Sequence, residues 1–203
     1  MDPRKKRKAE TRAHLLAVTA DVLASGRSFD TLSLREVAKL GGIAPTSFYR
    51  HFRDMEELGF AVIEEHGRAL FALMKSVIAQ VSVGQSLIRA SVEAIYDFID
   101  KNQGVSRMLV QESMSPESPF REASENLFLA VSSELATYLE QEAQHRDVPV
   151  GYPRLAANAM VSIMFTTGIA LLNSPAADKQ RNVDAAVIKV KMIMLGAEAL
   201  GAS

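Results

Sequence analysis

The chain has 203 residues, 48% of them apolar, with 23 Lys+Arg against 24 Asp+Glu and no cysteine. An apolar content this high with few Gly and Pro excludes a disordered chain, and the lack of thiols excludes a disulfide framework or a thiolate metal site. The near-zero total charge is unevenly spread: residues 1–53 carry 11 Lys+Arg and 5 Asp+Glu, and the remainder 12 and 19. Such an asymmetry is expected when one end of a chain faces phosphate and the other does not.

Arg4, Lys5, Lys6, Arg7 and Lys8 form an unbroken basic run. It reads either as a solvated tail or as a flexible arm that neutralises phosphates. A first helix is expected over about Lys6–Leu23, with Leu15, Leu16, Thr19, Val22 and Leu23 as its inner stripe and Ser25-Gly26-Arg27-Ser28 as its end. Phe29 and Leu32 then read as plugs beneath a small helical domain.

Two short helices follow. Ser33 caps the first, and Glu36, three residues on, is placed to reach back and complete a capping box. Leu34, Val37 and Ala38 give it an apolar face, and Gly41-Gly42 stops it. Pro45 opens the second helix, where its missing N–H costs nothing. Phe48 and Phe52, four apart, share the inner face and leave Thr46, Ser47, Tyr49, Arg50 and His51 outside. This is a helix-turn-helix with a polar, exposed second helix.

The run RSFDTLSLREVAKLGGIAPTSFYRHFRDMEELG, with Tyr49-Arg50-His51-Phe52 in the place of a Tyr-x-His-Phe motif, resembles the DNA-binding domain of the TetR family of bacterial repressors. Within that family it is most similar to the repressors of unsaturated fatty-acid synthesis and desaturation, the FabR/DesT group. The resemblance implies a transcriptional repressor that is not an enzyme and works as a cytoplasmic homodimer on an inverted-repeat operator in double-stranded DNA. It implies phosphate contacts from Tyr49 and His51, joined by Lys8, Arg12 and Arg50. Base-facing candidates are Arg35, Pro45, Thr46 and Ser47, with Ser33 at the same surface. It further implies long-chain acyl-CoA as effector, with no cofactor. The fold expected is all-α and TetR-like: a three-helix DNA-binding domain over residues 1–53 and a helical ligand-binding and dimerisation domain over 54–203.

Asp54 and Glu57 form a second capping box, opening a helix expected to run to about Val81. His66 in that helix reads as a packed or solvent-facing residue rather than a ligand. Further helices are expected over Ser86–Asn102, with Arg89, Glu93 and Asp97 as a polar ridge, over Val105–Ser113 after an interruption at Gly104, and from Ser118-Pro119 to about Gln144. Leu155–Leu172 is apolar nearly all round. The last helix, about Val183–Leu200, has two apolar seams, one of Val183, Val187, Val190 and Met194, the other of Ile188, Met192, Leu195 and Ala199. The first is assigned to the homodimer.

Phe71, Met74, Ile88, Ile95, Phe98, Ile99, Met108, Leu109, Phe128 and Phe165 lie on helices expected to converge, where Met beside Phe suits a bent acyl chain. Arg68, Arg89, Arg107 and Arg121 are candidates for the mouth of that pocket. The sequence contains no Gly-rich phosphate loop, HExxH pair or GxSxG elbow, and its His residues are scattered, so no enzymatic chemistry is indicated. No signal peptide or 18-residue apolar span stands out, and no membrane partner is expected. Two alternatives remain open: a TetR-like repressor of an efflux or catabolic operon answering another hydrophobic molecule, and a helical binding or enzymatic domain without DNA affinity.

Overall fold

The computed structural model describes residues 2–80, 87–175 and 178–202. Among them are nine α-helices and no strand: α1 Pro3–Ala24, α2 Leu34–Leu40, α3 Pro45–Phe48, α4 Met55–Gln80, α5 Leu87–Lys101, α6 Gln103–Met114, α7 Arg121–Arg146, α8 Pro153–Leu172 and α9 Lys179–Gly201. The expected helix limits at Val81 and Ser86 lie outside the described residues. The chain divides into two compact units, one of residues 1–68 and 102–124 and the other of 69–101 and 125–203. The first unit thus reaches past Arg53 to include the start of α4 and all of α6.

In the first unit the basic run is helical from Pro3, with Asp2 as cap accepting the Arg4 N–H at 3.0 Å, so the expected flexible arm is the opening turns of α1. Leu15, Val37, Ala38, Phe48 and Leu58 are fully buried together with Phe52. Phe120 falls within the span expected for the helix that is α7. It precedes that helix and is buried in the first unit, edge-on to Phe29 at 5.1 Å and to Phe60 at 5.2 Å. Gly104 does not interrupt a helix either. It lies inside α6 against the end of α1, where a Cβ would stand 2.3 Å from the Ala24 nitrogen. Only glycine permits that approach.

The second unit is built from α5, α7, α8, α9 and the last turns of α4 around Val92, Ile99, Val131, Ala157, Met160, Met164, Phe165, Val187 and Val190. α8 is, by length and composition, long and apolar enough to cross a membrane, contrary to the sequence expectation. Its residues Ala156, Ala157, Met160, Val161, Met164, Phe165, Gly168 and Leu171 are buried in this core, which accounts for the apolar character. Exposed ion pairs edge the unit, with Arg89 joining Glu93 at 3.3 Å and Asp184 at 2.9 Å, and Lys179 joining Asp100 at 3.3 Å.

Candidate nucleic-acid interface and effector cavity

The surface of the first unit is set by how α2 and α3 are started and stopped. Ser33 Oγ accepts the Glu36 N–H at 3.3 Å, half of the expected capping box. The other half is absent because the Glu36 carboxylate turns outward to the Arg27 guanidinium, whose Nη2 also donates to the Thr31 carbonyl at 3.1 Å. That pairing holds the Glu36 carboxyl below its usual range. At the other end of α2, Gly42 takes φ +65°, the Gly42 N–H donates to the Lys39 carbonyl, and the Ile43 N–H donates to that of Ala38. This is a Schellman closure, which only a residue tolerant of positive φ completes without strain. The Asp54 box is complete in outline: the Glu57 N–H donates to Asp54 at 2.7 Å, and the Glu57 carboxylate accepts the Arg53 N–H at 2.7 Å.

α3 is shorter than the pattern indicated. After Phe48 the chain tightens into turns, with the Arg50 N–H donating to Ser47 and the His51 N–H to Phe48, three residues back in each case. The inward Phe48 and Phe52 rings still meet at 5.6 Å. Arg35, Pro45, Thr46 and Arg50 are exposed, Tyr49 is 63% exposed, and Ser47 is half-buried. Arg12 lays its guanidinium over the Phe52 ring at 4.8 Å from the centroid. The His51 imidazole is pulled below its ordinary value first by burial, then by Lys8, Arg12 and Arg50. Four of the candidates, Lys8, Arg12, Arg50 and His51, are therefore gathered in one place, beside the exposed Tyr49 hydroxyl. A side-chain group of that kind, cationic and donor-rich on a helical frame, suits phosphate oxygens.

The second unit lines a partly open cavity of 910 Å3. Of the ten residues assigned to an effector pocket, Met74, Ile88, Ile95 and Phe165 line it. Phe71, Phe98, Ile99 and Phe128 belong to the surrounding core, Phe128 standing edge-on to Phe165 at 4.9 Å. Met108 and Leu109 were misplaced: they lie on α6, buried in the first unit, because the helical stripe that they form serves packing on α1. Arg68, Arg89, Arg107 and Arg121 are not among the lining either. The polar and charged groups that line it come from α7 and α9: Tyr138, Glu142 and Arg146, spaced four apart, with Lys191 and Glu198. Burial and Glu142 push the Tyr138 hydroxyl above its ordinary value. The i, i+4 spacing on α7 is the signal in the sequence, and an exposed helix carries the same pattern.

On α9 the seam assigned to the homodimer is taken up by its own unit. Val187 and Val190 are buried in their own unit at 3% and 5% exposure, and Val183 and Met194 pack against the same core. Ile188, Met192 and Leu195, the other seam, stand 58%, 67% and 65% exposed. The sequence showed two seams but held nothing to rank them.

Residues 16–62 match the family described as bacterial regulatory proteins, tetR family. That stretch holds α2 and α3, so the likeness to the family is carried by the helix-turn-helix segment. Solved structures share the TetR-like fold along nearly the whole chain. A tetR-family transcriptional regulator from Streptomyces coelicolor superposes with a TM-score of 0.70 at 20% identity, covering 94% of this chain and 83% of that one. The fatty acid degradation regulator FadR from Bacillus halodurans gives 0.70 at 15% identity, covering 92% and 95%. E. coli NemR in its reduced form gives 0.64 at 21% identity, covering 91% and 97%. Among the described residues no group of three or more His, Cys, Asp or Glu is placed to hold a metal ion.

Proposed function

We propose that this protein is a TetR-family transcriptional regulator, a ligand-responsive, cytoplasmic repressor that binds an inverted-repeat operator as a homodimer. The observation that carries the DNA-binding role is the gathering of Lys8, Arg12, Arg50 and His51 beside exposed Tyr49. In that role residues 1–53 do the DNA work and 54–203 bind the effector and the second copy. Tyr49 and the basic group hold phosphates, whereas Arg35, Pro45, Thr46 and Ser47, with Ser33 at the edge, meet base edges. Two heads reading one face of the duplex place half-sites about 34 Å apart. The exposed Ile188, Met192 and Leu195 seam is the natural dimer surface, since contiguous apolar residues of this size are costly to leave in water.

For the effector we propose a long-chain acyl-CoA, acting in a repressor of unsaturated fatty-acid synthesis or desaturation genes. The resemblance of the helix-turn-helix to the FabR/DesT group supports this, as do a cavity of 910 Å3 and lining residues Met74, Met160, Met164 and Met194, whose flexible side chains accommodate a bent chain. Arg146 and Lys191 supply cations for a phosphate-bearing head. A second reading, another hydrophobic effector controlling an efflux or catabolic operon, is favoured by Glu142 and Glu198, which balance those cations.

The test is operator binding titrated with saturated and cis-unsaturated acyl-CoA of equal length, with free CoA as control. Unequal effects of the two chains are expected, because only differential affinity for two states shifts an equilibrium. Identical responses, or none, remove the acyl-CoA role and leave the repressor intact. Absence of DNA affinity even at low salt removes the repressor itself.

A further inference from the structure

The cavity of the second unit and the exposed seam of α9 share a residue. Leu195 lines the cavity and is at the same time 65% exposed, one turn from Met192 at 67%. Successive residues of a helix turn by about 100°, and the lining follows that turn outward. Val190 and Met194 face the cavity from the core side of α9, Lys191, Leu195 and Glu198 come next at its edge, and Ile188, Met192 and Ala199 continue into solvent. The opening of the cavity and the apolar seam are therefore contiguous, with Leu195 as their border.

The charges at this border say what covers it. Lys191 and Glu198 stand seven residues apart on the same edge of the seam, and neither side chain has an ion-pair partner among the described residues. Two copies packed through one face are related by a two-fold axis. With α9 antiparallel to its mate, that axis lays Met192 against the partner's Leu195 and brings Lys191 within reach of the partner's Glu198, once on each side of the axis. The face is thus complementary to itself in shape and in charge. We propose that a second copy of the chain closes the mouth of the cavity, with Lys191 paired to the partner's Glu198 across it, so that the binding site is complete only in the dimer. The inference rests on the dimer surface proposed above.

The chain has no cysteine, so a single introduced thiol reports alone. Glu142→Cys puts one in the cavity lining on α7, away from the seam. Its reaction with a bulky maleimide, in the full chain without added ligand, is expected to slow about tenfold or more as protein concentration is raised through the monomer–dimer transition. In a Met192→Arg background it is expected to stay fast at every concentration, and Lys39→Cys, exposed on α2, to react alike in both backgrounds. A wild-type dimer whose Glu142→Cys thiol reacts as fast as in the Met192→Arg monomer overturns the proposal and leaves the homodimer standing. No dimer at all, or a Met192→Arg protein that still dimerises, overturns the proposal and the dimer surface together. If Glu142→Cys fails to fold, charge reversal decides. At low ionic strength Lys191→Glu and Glu198→Lys are each expected to weaken dimerisation about tenfold, and the two combined to restore it to within about threefold. Single variants that dimerise as wild type does, or a double variant no better than either, overturn the pairing across the mouth.

Discussion

The two compact units differ in how completely each fills itself. The first is closed by aromatic rings, Phe29, Phe48, Phe52 and Phe120, and the face that it presents around Lys8, Arg12, Tyr49 and Arg50 is polar and cationic. The second sets Phe165 and Tyr96 among Met, Leu, Ala, Val and Ile, borders a 910 Å3 cavity, and leaves Ile188, Met192 and Leu195 in solvent. Interiors are ordinarily packed to near-crystalline density, so an apolar void and an apolar outer seam in the same unit mark places that other molecules complete. The first unit is finished as a fold and recognises through its surface. The second awaits partners on both its inner and outer faces.

The largest effect that separates them is core truncation. Phe48→Ala removes a fully buried ring from a unit with no slack and is expected to cost about 3 to 5 kcal/mol. Met74→Ala widens a cavity that already exists, from a half-buried position, and is expected to cost about 1 kcal/mol or less. Urea unfolding of both variants checks the pair. Equal losses would mean that the cavity wall is as tightly supported as the aromatic core, and the contrast between the units would fail.

Next in size is the outer seam. Met192→Arg places a charge on the exposed side of α9, where a monomer tolerates it, whereas a dimer packed on that seam would bury it unpaired at a cost of several kcal/mol. Sedimentation is expected to show a folded monomer. Val190→Arg, a substitution into the unit's own core, is instead expected to lower the unfolding temperature. A Met192→Arg protein that sediments as a dimer at micromolar concentration would put the interface elsewhere.

How much of this was legible in the sequence follows the same division. The first unit was readable because its chemistry is local: Ser33, Gly42, Pro45 and Asp54 each do something that few other residues do at that backbone position. Where it was misread, a tertiary partner had intervened, as Arg27 did in drawing Glu36 away from the Ser33 box. In the second unit helices were legible from apolar spacing, but partners were not. Val187 and Ile188 have the same chemistry, adjacent places in the chain, and opposite fates. Met108 and Leu109 failed as pocket residues for the same reason, since helical periodicity gives a buried face without saying which neighbour buries it.

A pH effect sharpens the contrast further. His66 is buried in the first unit, and burial pushes its imidazole down to about 4. Above about pH 6.5 the ring is neutral folded or unfolded and carries no penalty. As pH falls from there towards 4 the unfolded chain takes up a proton that the folded one refuses, so stability is lost, by about 3 kcal/mol over the interval. Denaturant unfolding at pH 7.5 and 4.5 should therefore show a smaller acid loss in His66→Leu than in wild type. An equal loss would assign the acid sensitivity to carboxylates alone.

The smallest effects distinguish residues within the first unit's surface. Tyr49 is 63% exposed with its ring edge-on to Phe48, which aims a hydroxyl outward from a fixed base. A contact of that hydroxyl with a phosphate carries no sequence information, so Tyr49→Phe is expected to weaken all duplexes alike, by about 1 to 2 kcal/mol. Arg35, exposed in the first turn of α2, has a guanidinium able to pair bidentately with guanine. Arg35→Ala is expected to cost about 1 to 3 kcal/mol at one base pair and to leave discrimination elsewhere unchanged. Affinities on a panel of operators mutated singly at every position separate the two roles. If Tyr49→Phe alters the sequence preference, or Arg35→Ala lowers affinity evenly across the panel, phosphate and base contacts have been assigned to the wrong side chains. Because Arg35 adjoins Glu36, the panel should be repeated with Arg27→Ala, which frees the Glu36 carboxylate to draw Arg35 aside. A loss at the same base pair as Arg35→Ala, smaller in size, would place the Arg27 brace behind the base contact.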